Sequence, residues 1–139
     1  MKYKKYGSVY AVRLEVGDEI VSSVTQLAER ENISFAEVSA IGAADKVTMG
    51  LYNLQEKQYH QITFNEPLEL TSLLGNITRK DGKAYVHLHA NFANEECAAF
   101  GGHLNEAYIS ATCEMFVRTL DAQMNRTVCE KTGINIFDI

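Results

Sequence analysis

The sequence predicts an α+β fold, a mainly antiparallel β-sheet packed with one long helix and short helical turns. Three observations carry this. Apolar residues recur at helical spacing in one stretch, Ile20, Val21, Val24, Leu27 and Ala28, giving a single stripe to lay on a sheet. From Val38 onward, segments rich in β-branched and aromatic residues dominate the chain. Two of those segments flank Asp81-Gly82, the strongest short hairpin signal, because both central residues of a type I′ turn take positive φ.

In chain order, Gly7 to Val16 reads as a strand, broken by Gly17, with Asp18 as the expected helix N-cap and Asn32 as the stop. Ser34 and Glu37 have capping-box spacing and room only for a helical turn before Val38-Ser39-Ala40-Ile41 becomes extended. Lys46–Asn53 and Gln58–Phe64 are the next strands. Pro67 is expected to close a turn before the hairpin pair Leu68–Arg79 and Lys83–Asn94. In the last long strand, Glu106–Arg118, Ala107, Ile109, Ala111, Cys113, Met115 and Val117 share one face, and Tyr108, Ser110, Thr112, Glu114, Phe116 and Arg118 the other.

Composition bounds the function classes. The chain has 139 residues, 46% of them apolar and 22% charged, the profile of one ordinary globular domain spanning 1–139. The basic start, Met1 to Tyr6, leads into alternating residues rather than the apolar run of roughly 7–15 that a signal peptide needs, and nothing approaches the roughly 20 apolar residues of a membrane span. A cytoplasmic location without membrane association is expected. Cys97, Cys113 and Cys129 form no Cys-x-x-Cys pair and are expected to be reduced and packed as small hydrophobes. The net charge of −5 counts against a phosphate-backbone partner, although Lys2, Lys4 and Lys5, or Arg79, Lys80 and Lys83, could form a local basic patch.

The chemistry concentrates in Lys83–Asn94. Alternation puts Val86, Leu88, Ala90 and Phe92 on an apolar face and Tyr85, His87, His89 and Asn91 on the other. A two-residue turn sets Asn76 opposite His87, Gly75 opposite Leu88 and Leu74 opposite His89. Histidines at i and i+2 on one face stand ~6–7 Å apart at Cα, so their imidazoles can converge on one cation. His103, in Phe100-Gly101-Gly102-His103-Leu104, is the candidate third ligand, the glycines permitting a tight approach or a bulge. Three neutral imidazoles would leave a fourth position open for water or substrate. The spacing leaves two readings open, unrelated histidines on an exposed strand face or a divalent metal site, zinc first, although imidazole also suits copper, iron and nickel. Glu114 is the candidate carboxylate orienting a ligand histidine from outside the coordination sphere. His60, Glu69, Glu95 and Glu96 are weaker candidates. No Gly-x-Ser-x-Gly elbow or lysine-bearing phosphate loop occurs, so no catalytic residue is named.

These residues also carry a family resemblance. Ile41-Gly42-Ala43 with Val47-Thr48-Met49-Gly50-Leu51-Tyr52, then Leu73-Leu74-Gly75-Asn76-Ile77, His87-Leu88-His89-Ala90 and Gly101-Gly102-His103-Leu104, in that order, resemble the signatures of the PPC domain (plants and prokaryotes conserved domain), in its bacterial stand-alone form. The resemblance implies an α+β fold with a mainly antiparallel sheet, assembly as a homotrimer, and His87, His89 and His103 as the matching histidines of a divalent metal site. It also implies an association with DNA, since the plant members carry AT-hook motifs, but this sequence has no Arg-Gly-Arg-Pro core. A cupin, the rival fold with a His-x-His pair, needs a glutamate three or four residues later, and Ala90-Asn91-Phe92-Ala93-Asn94 has none. The sequence thus leaves a metal-dependent protein acting on a small polar molecule, a DNA-binding regulatory protein, and a trimeric oligomerisation module.

Overall fold

The computed structural model describes residues 1–139. Its strands are β1 (Lys2–Tyr6), β2 (Val9–Glu15), β3 (Ala36–Asn53), β4 (Gln58–Lys80), β5 (Lys83–Ala93), β6 (Ala99–Thr119), β7 (Arg126–Val128) and β8 (Asn135–Phe137), with a single helix, α1 (Ile20–Arg30). The first six form one antiparallel sheet in the order β1-β2-β6-β3-β4-β5. The start of β6 also pairs with the end of β5, so β3, β4, β5 and β6 close into a ring. β7 and β8 form a separate hairpin, tied to β4 by a bridge between Arg79 and Asn125.

The expected long helix is short, 11 residues or about three turns. Asn32, at φ 51°, ends it in a Schellman arrangement: Ile33 N–H donates to the Ala28 carbonyl at 2.9 Å and Asn32 N–H to the Glu29 carbonyl at 3.3 Å. The N-cap is Glu19 rather than Asp18. Its carboxylate accepts from the Val21 and Ser22 N–H groups and from the Ala107 N–H on β6, fastening the helix to the sheet. Asp18 instead receives the N-terminal ammonium at 2.6 Å and the Glu15 N–H. The expected short helical turns are absent from the element order; Ser34 spends its hydroxyl on the Ala122 carbonyl, and the chain passes directly into β3.

Two strands are longer than their sequence punctuation suggests. Pro67 closes no turn. Ala44 pairs with Leu68 and Lys46 with Asn65, so Glu66 and Pro67 together face Asp45. A bulge tolerates a residue with no N–H to give to the ladder. The flanking segments therefore join into the 23-residue β4. In β6 the expected inward face holds except at Ala111, which is exposed. There Gly42 pairs with Cys113 and Ala44 with Ile109, and the extra residues between them push Ala111 outward.

The core fills the space between the closed sheet and the inner stripe of α1, where Ile20, Val24, Leu27 and Ala28 are buried beside Leu88, Phe92, Ile109 and Met115. All three cysteines are free, but only Cys113 behaves as a small core hydrophobe, its thiol pushed up to about 12 chiefly by burial. Cys97 is exposed and Cys129 half-buried. No helix is long and apolar enough to cross a membrane.

Phe92 is fully buried on the inward face of β5. Its ring should anchor the strand that carries two of the histidines. Phe92→Ala is expected to lower unfolding free energy by ~3–5 kcal/mol, measured by urea denaturation; a change below 1 kcal/mol would show that this packing contributes little.

Candidate metal centre

Strand alternation positions the first two histidines. Leu88, Ala90 and Phe92 point into the core, which turns His87 and His89 to the opposite face beside Tyr85 and Asn91. The Asp81-Gly82 turn, with φ of 51° and 78°, holds the register that the hairpin implies: Asn76 opposite His87, Gly75 opposite Leu88 and Leu74 opposite His89. Gly75 is needed there because a Cβ would collide with the His87 carbonyl oxygen and the Leu88 side chain.

His103 arrives by ladder pairing. It lies directly opposite His89 on β5 and opposite Gly50 on β3. Gly101 and Gly102 form no bulge against β5; they pair in unbroken register opposite Asn91 and Ala90. Their value is close approach, since a Cβ on Gly101 would strike the Asn91 side chain and the Ala90 carbonyl.

The ring centroids of His87, His89 and His103 are 5.2, 5.2 and 5.5 Å apart, and one ligand nitrogen from each lies within 4.8 Å of the others. Tetrahedral coordination at the usual metal–nitrogen length needs nitrogens ~3.3 Å apart, within reach of small χ adjustments. His103 Nδ1 is buried without a hydrogen-bond partner, a costly condition for a polar atom and one that a cation would relieve. Burial first, then electrostatic repulsion from His103, Arg126 and His89, pushes His87 down to about 4. Burial and His89 likewise lower His103. Neutral imidazole is the form that can ligate a metal.

The surroundings are aromatic and cationic. Tyr59 packs on His103 at 5.2 Å and Tyr52 on Tyr59 at 5.0 Å, while the Tyr52 hydroxyl donates to the Thr132 carbonyl at 3.1 Å. Arg126 lies over the Tyr85 ring, 4.5 Å from its centroid, and its Nη2 donates to Asn76 Oδ1 at 2.6 Å. Neither Arg126 nor Tyr59 was marked by the sequence. Asn76 was, through the hairpin register, but as a neighbour of His87 rather than a tether for Arg126.

The structure does not bring the other candidates to this cluster. Glu114 is exposed, eleven positions beyond His103 on β6 and opposite Arg13 and Ile41, so it cannot orient these imidazoles. His60 is bound to Glu56 at 2.5 Å and lies outside the three-histidine group. Glu69 pairs with Ala43 and Ala93 on the neighbouring strands, and Glu95 and Glu96 belong to the β5–β6 turn.

A closed antiparallel sheet with three imidazoles drawn together where its ring shuts defines the class. The chain belongs to the Plants and Prokaryotes Conserved domain family, whose model (PCC) matches residues 1–121; this is the family the sequence resembles. Its structure is similar to that of a Bacteroides thetaiotaomicron protein provisionally named DNA-binding, at 31% identity and TM-score 0.96 over 99% of this chain and 96% of that one. It is also similar to a metal-containing protein of Archaeoglobus fulgidus, at 33% identity and TM-score 0.88 over 99% of both chains. A Pyrococcus horikoshii plant- and prokaryote-conserved (PPC) protein is 27% identical, with TM-score 0.88 over 99% and 94% of the two chains. No curated protein matches the sequence.

The depressed His87 fixes a pH dependence. The unfolded chain takes up a proton near 6.5 and the folded one near 4, so between these values unfolding is coupled to proton uptake. The stability present above about 6.5 is therefore expected to decline as pH falls toward 4 in metal-free protein. His87→Gln should flatten that part of the profile in a pH series of thermal melts; an unchanged slope would contradict the burial of this imidazole.

Proposed function

We propose that this chain is a metal-dependent protein in which His87, His89 and His103 hold one divalent cation, zinc by first expectation, and present it to a small polar molecule. The observation that carries this reading is the convergence of three ligand nitrogens within 4.8 Å, on a set of rings that includes the buried, unpartnered Nδ1 of His103. The metal-containing Archaeoglobus fulgidus protein, similar over the whole chain, supports it. A metal with only three protein ligands would polarise a bound oxygen or lower the pKa of bound water. The chain's own part is to keep His87 neutral by burial, to fix His103 through the ladder, and to shield one side of the cluster with Tyr59.

Metal analysis of protein purified without a histidine tag should find about one equivalent, and the His87→Ala, His89→Ala double substitution should abolish it. Stoichiometric metal retained by that variant would refute the assignment of ligands.

DNA binding is the second reading, supported by the provisional name of the Bacteroides thetaiotaomicron protein. The charges of this chain weigh against it. Arg79 is buried and bonded to Glu29 at 2.9 Å, Lys80 is tied to Asn135, and Lys2 is paired with Glu15. Of the two candidate basic patches, Lys4, Lys5 and Lys83 stay exposed and outside the ion pairs, a small positive surface for releasing counterions from a duplex on a chain of net charge −5.

Self-assembly belongs to the same proposal. Leu74 and Phe116 flank Ser39 on adjacent strands; with Ile41 they are 66%, 57% and 57% exposed respectively for Leu74, Phe116 and Ile41. Such an apolar row on a sheet face favours burial against another copy, consistent with the homotrimer that the resemblance implies. Light scattering at micromolar concentration should give three times the 15.5 kDa chain mass, with Leu74→Asp shifting it to the monomer. A wild-type monomer would remove the trimer from the account.

A further inference from the structure

The C-terminal hairpin, outside residues 1–121 of the family match, brings a guanidinium to the row of histidines. Arg126 is half-buried on β7. Its Nε donates to Thr78 Oγ1 at 2.9 Å, its Nη1 to the Asn135 carbonyl at 3.0 Å and its Nη2 to Asn76 Oδ1 at 2.6 Å. The plane is held further by Tyr85 and Phe137, whose ring centroids lie 4.5 and 5.0 Å away. The position follows from the register. Asn76 is the partner of His87 across β4 and β5, and Tyr85 is two residues before His87 on the same face. The cation therefore stands at the end of the Tyr85, His87, His89 row.

All three of its partners are neutral. A guanidinium has five N–H donors, so one on each of Nη1 and Nη2 is left after these bonds. A half-buried positive charge rigidly positioned without a carboxylate is an unusual expense unless something anionic meets it. The charge balance beside it has the same sign. Three neutral imidazoles leave a divalent cation's two positive charges intact, Arg126 adds a third, and no carboxylate joins the cluster.

We propose that Arg126 is the anion-recognising residue of the histidine centre, and that its ligand class is a small carboxylic acid. The carboxylate accepts from the two remaining N–H groups of Arg126 in the bidentate manner that guanidinium favours, and a second oxygen of the same molecule faces the metal. This rests on the three-histidine metal reading and narrows it from a small polar molecule to an anion.

The test uses the untagged 139-residue chain loaded with cobalt(II), with lactate as probe and lactamide as its neutral counterpart. Binding is read from the cobalt visible spectrum and by calorimetry. Lactate is expected to bind more tightly than lactamide. In Arg126→Gln the lactate affinity should fall by about 10- to 100-fold, the loss of a charge-assisted pair, with lactamide binding and cobalt content unchanged. Arg126→Lys should keep part of the preference. If Arg126 only braces the hairpin, Arg126→Gln will weaken both probes equally and leave their ratio intact, which overturns the proposal. Stoichiometric cobalt with no preference for lactate in the wild type also overturns it while sparing the metal reading. Failure to take up cobalt overturns both.

Discussion

The candidate centre depends on one constraint, the register in which β6 folds back on β5. Five residue pairs, from Ala93 with Ala99 to His89 with His103, make that contact, and the turn before them sets it. Asn94 Oδ1 accepts from the Glu96 and Ala98 N–H groups at 3.1 and 2.9 Å, and Cys97 takes a left-handed φ of 60°, so the chain reverses in a fixed number of residues. Because side chains alternate with period two, a slip of one residue would turn His103 into the core and bring Leu104 or Gly102 to its place. The buried face guards against this, with Leu104 at 3% exposure and Phe92 at 0%.

Packing and site chemistry are thus two faces of the same strands. Leu88, Ala90 and Phe92 determine which way His87 and His89 point, and the glycines opposite determine how closely the strands meet. Gly75 lets β4 lie against the His87 backbone, and Gly101 does the same beside Asn91. The helix contributes indirectly: Glu19 caps it and also accepts the Ala107 N–H of β6 at 3.1 Å, so the strand bearing His103 is anchored at both the helix and the barrel seam. Half-burial then keeps His87 neutral well below physiological pH, which is the state in which its nitrogen lone pair is free to ligate.

Much of this was legible in the sequence because it depends on local rules. Alternation and the Asp81-Gly82 turn give the β4–β5 register from Lys80 and Lys83 as far as Ser72 and Asn91, beyond which it shifts at Thr71, and the three histidines follow from strand parity together with the family resemblance. Where the expectation departs from the structure, long-range pairing overrode local punctuation. Pro67 and Ala111 look like a turn residue and an inward residue, yet both sit at bulges created by partners on β3. The helix ends where Asn32 marks its stop, but the stretch between the Glu19 cap and that stop holds only about three turns. Glu114 was a candidate as a carboxylate on the polar face of the strand that follows His103, and eleven positions along β6 separate the two. Arg126 left no local signal, since a lone arginine in a short hairpin acquires meaning only when β7 packs across β4.

The measurement that bears most directly on the proposed centre is X-ray absorption at the metal edge of untagged protein with its native metal. Coordination by His87, His89 and His103 predicts a first shell of nitrogen or oxygen at roughly 2.0–2.1 Å for zinc, with imidazole multiple scattering that fits three rings and falls when His103 is replaced by alanine. A sulfur shell at roughly 2.3 Å, or imidazole scattering unchanged by that replacement, would contradict the account.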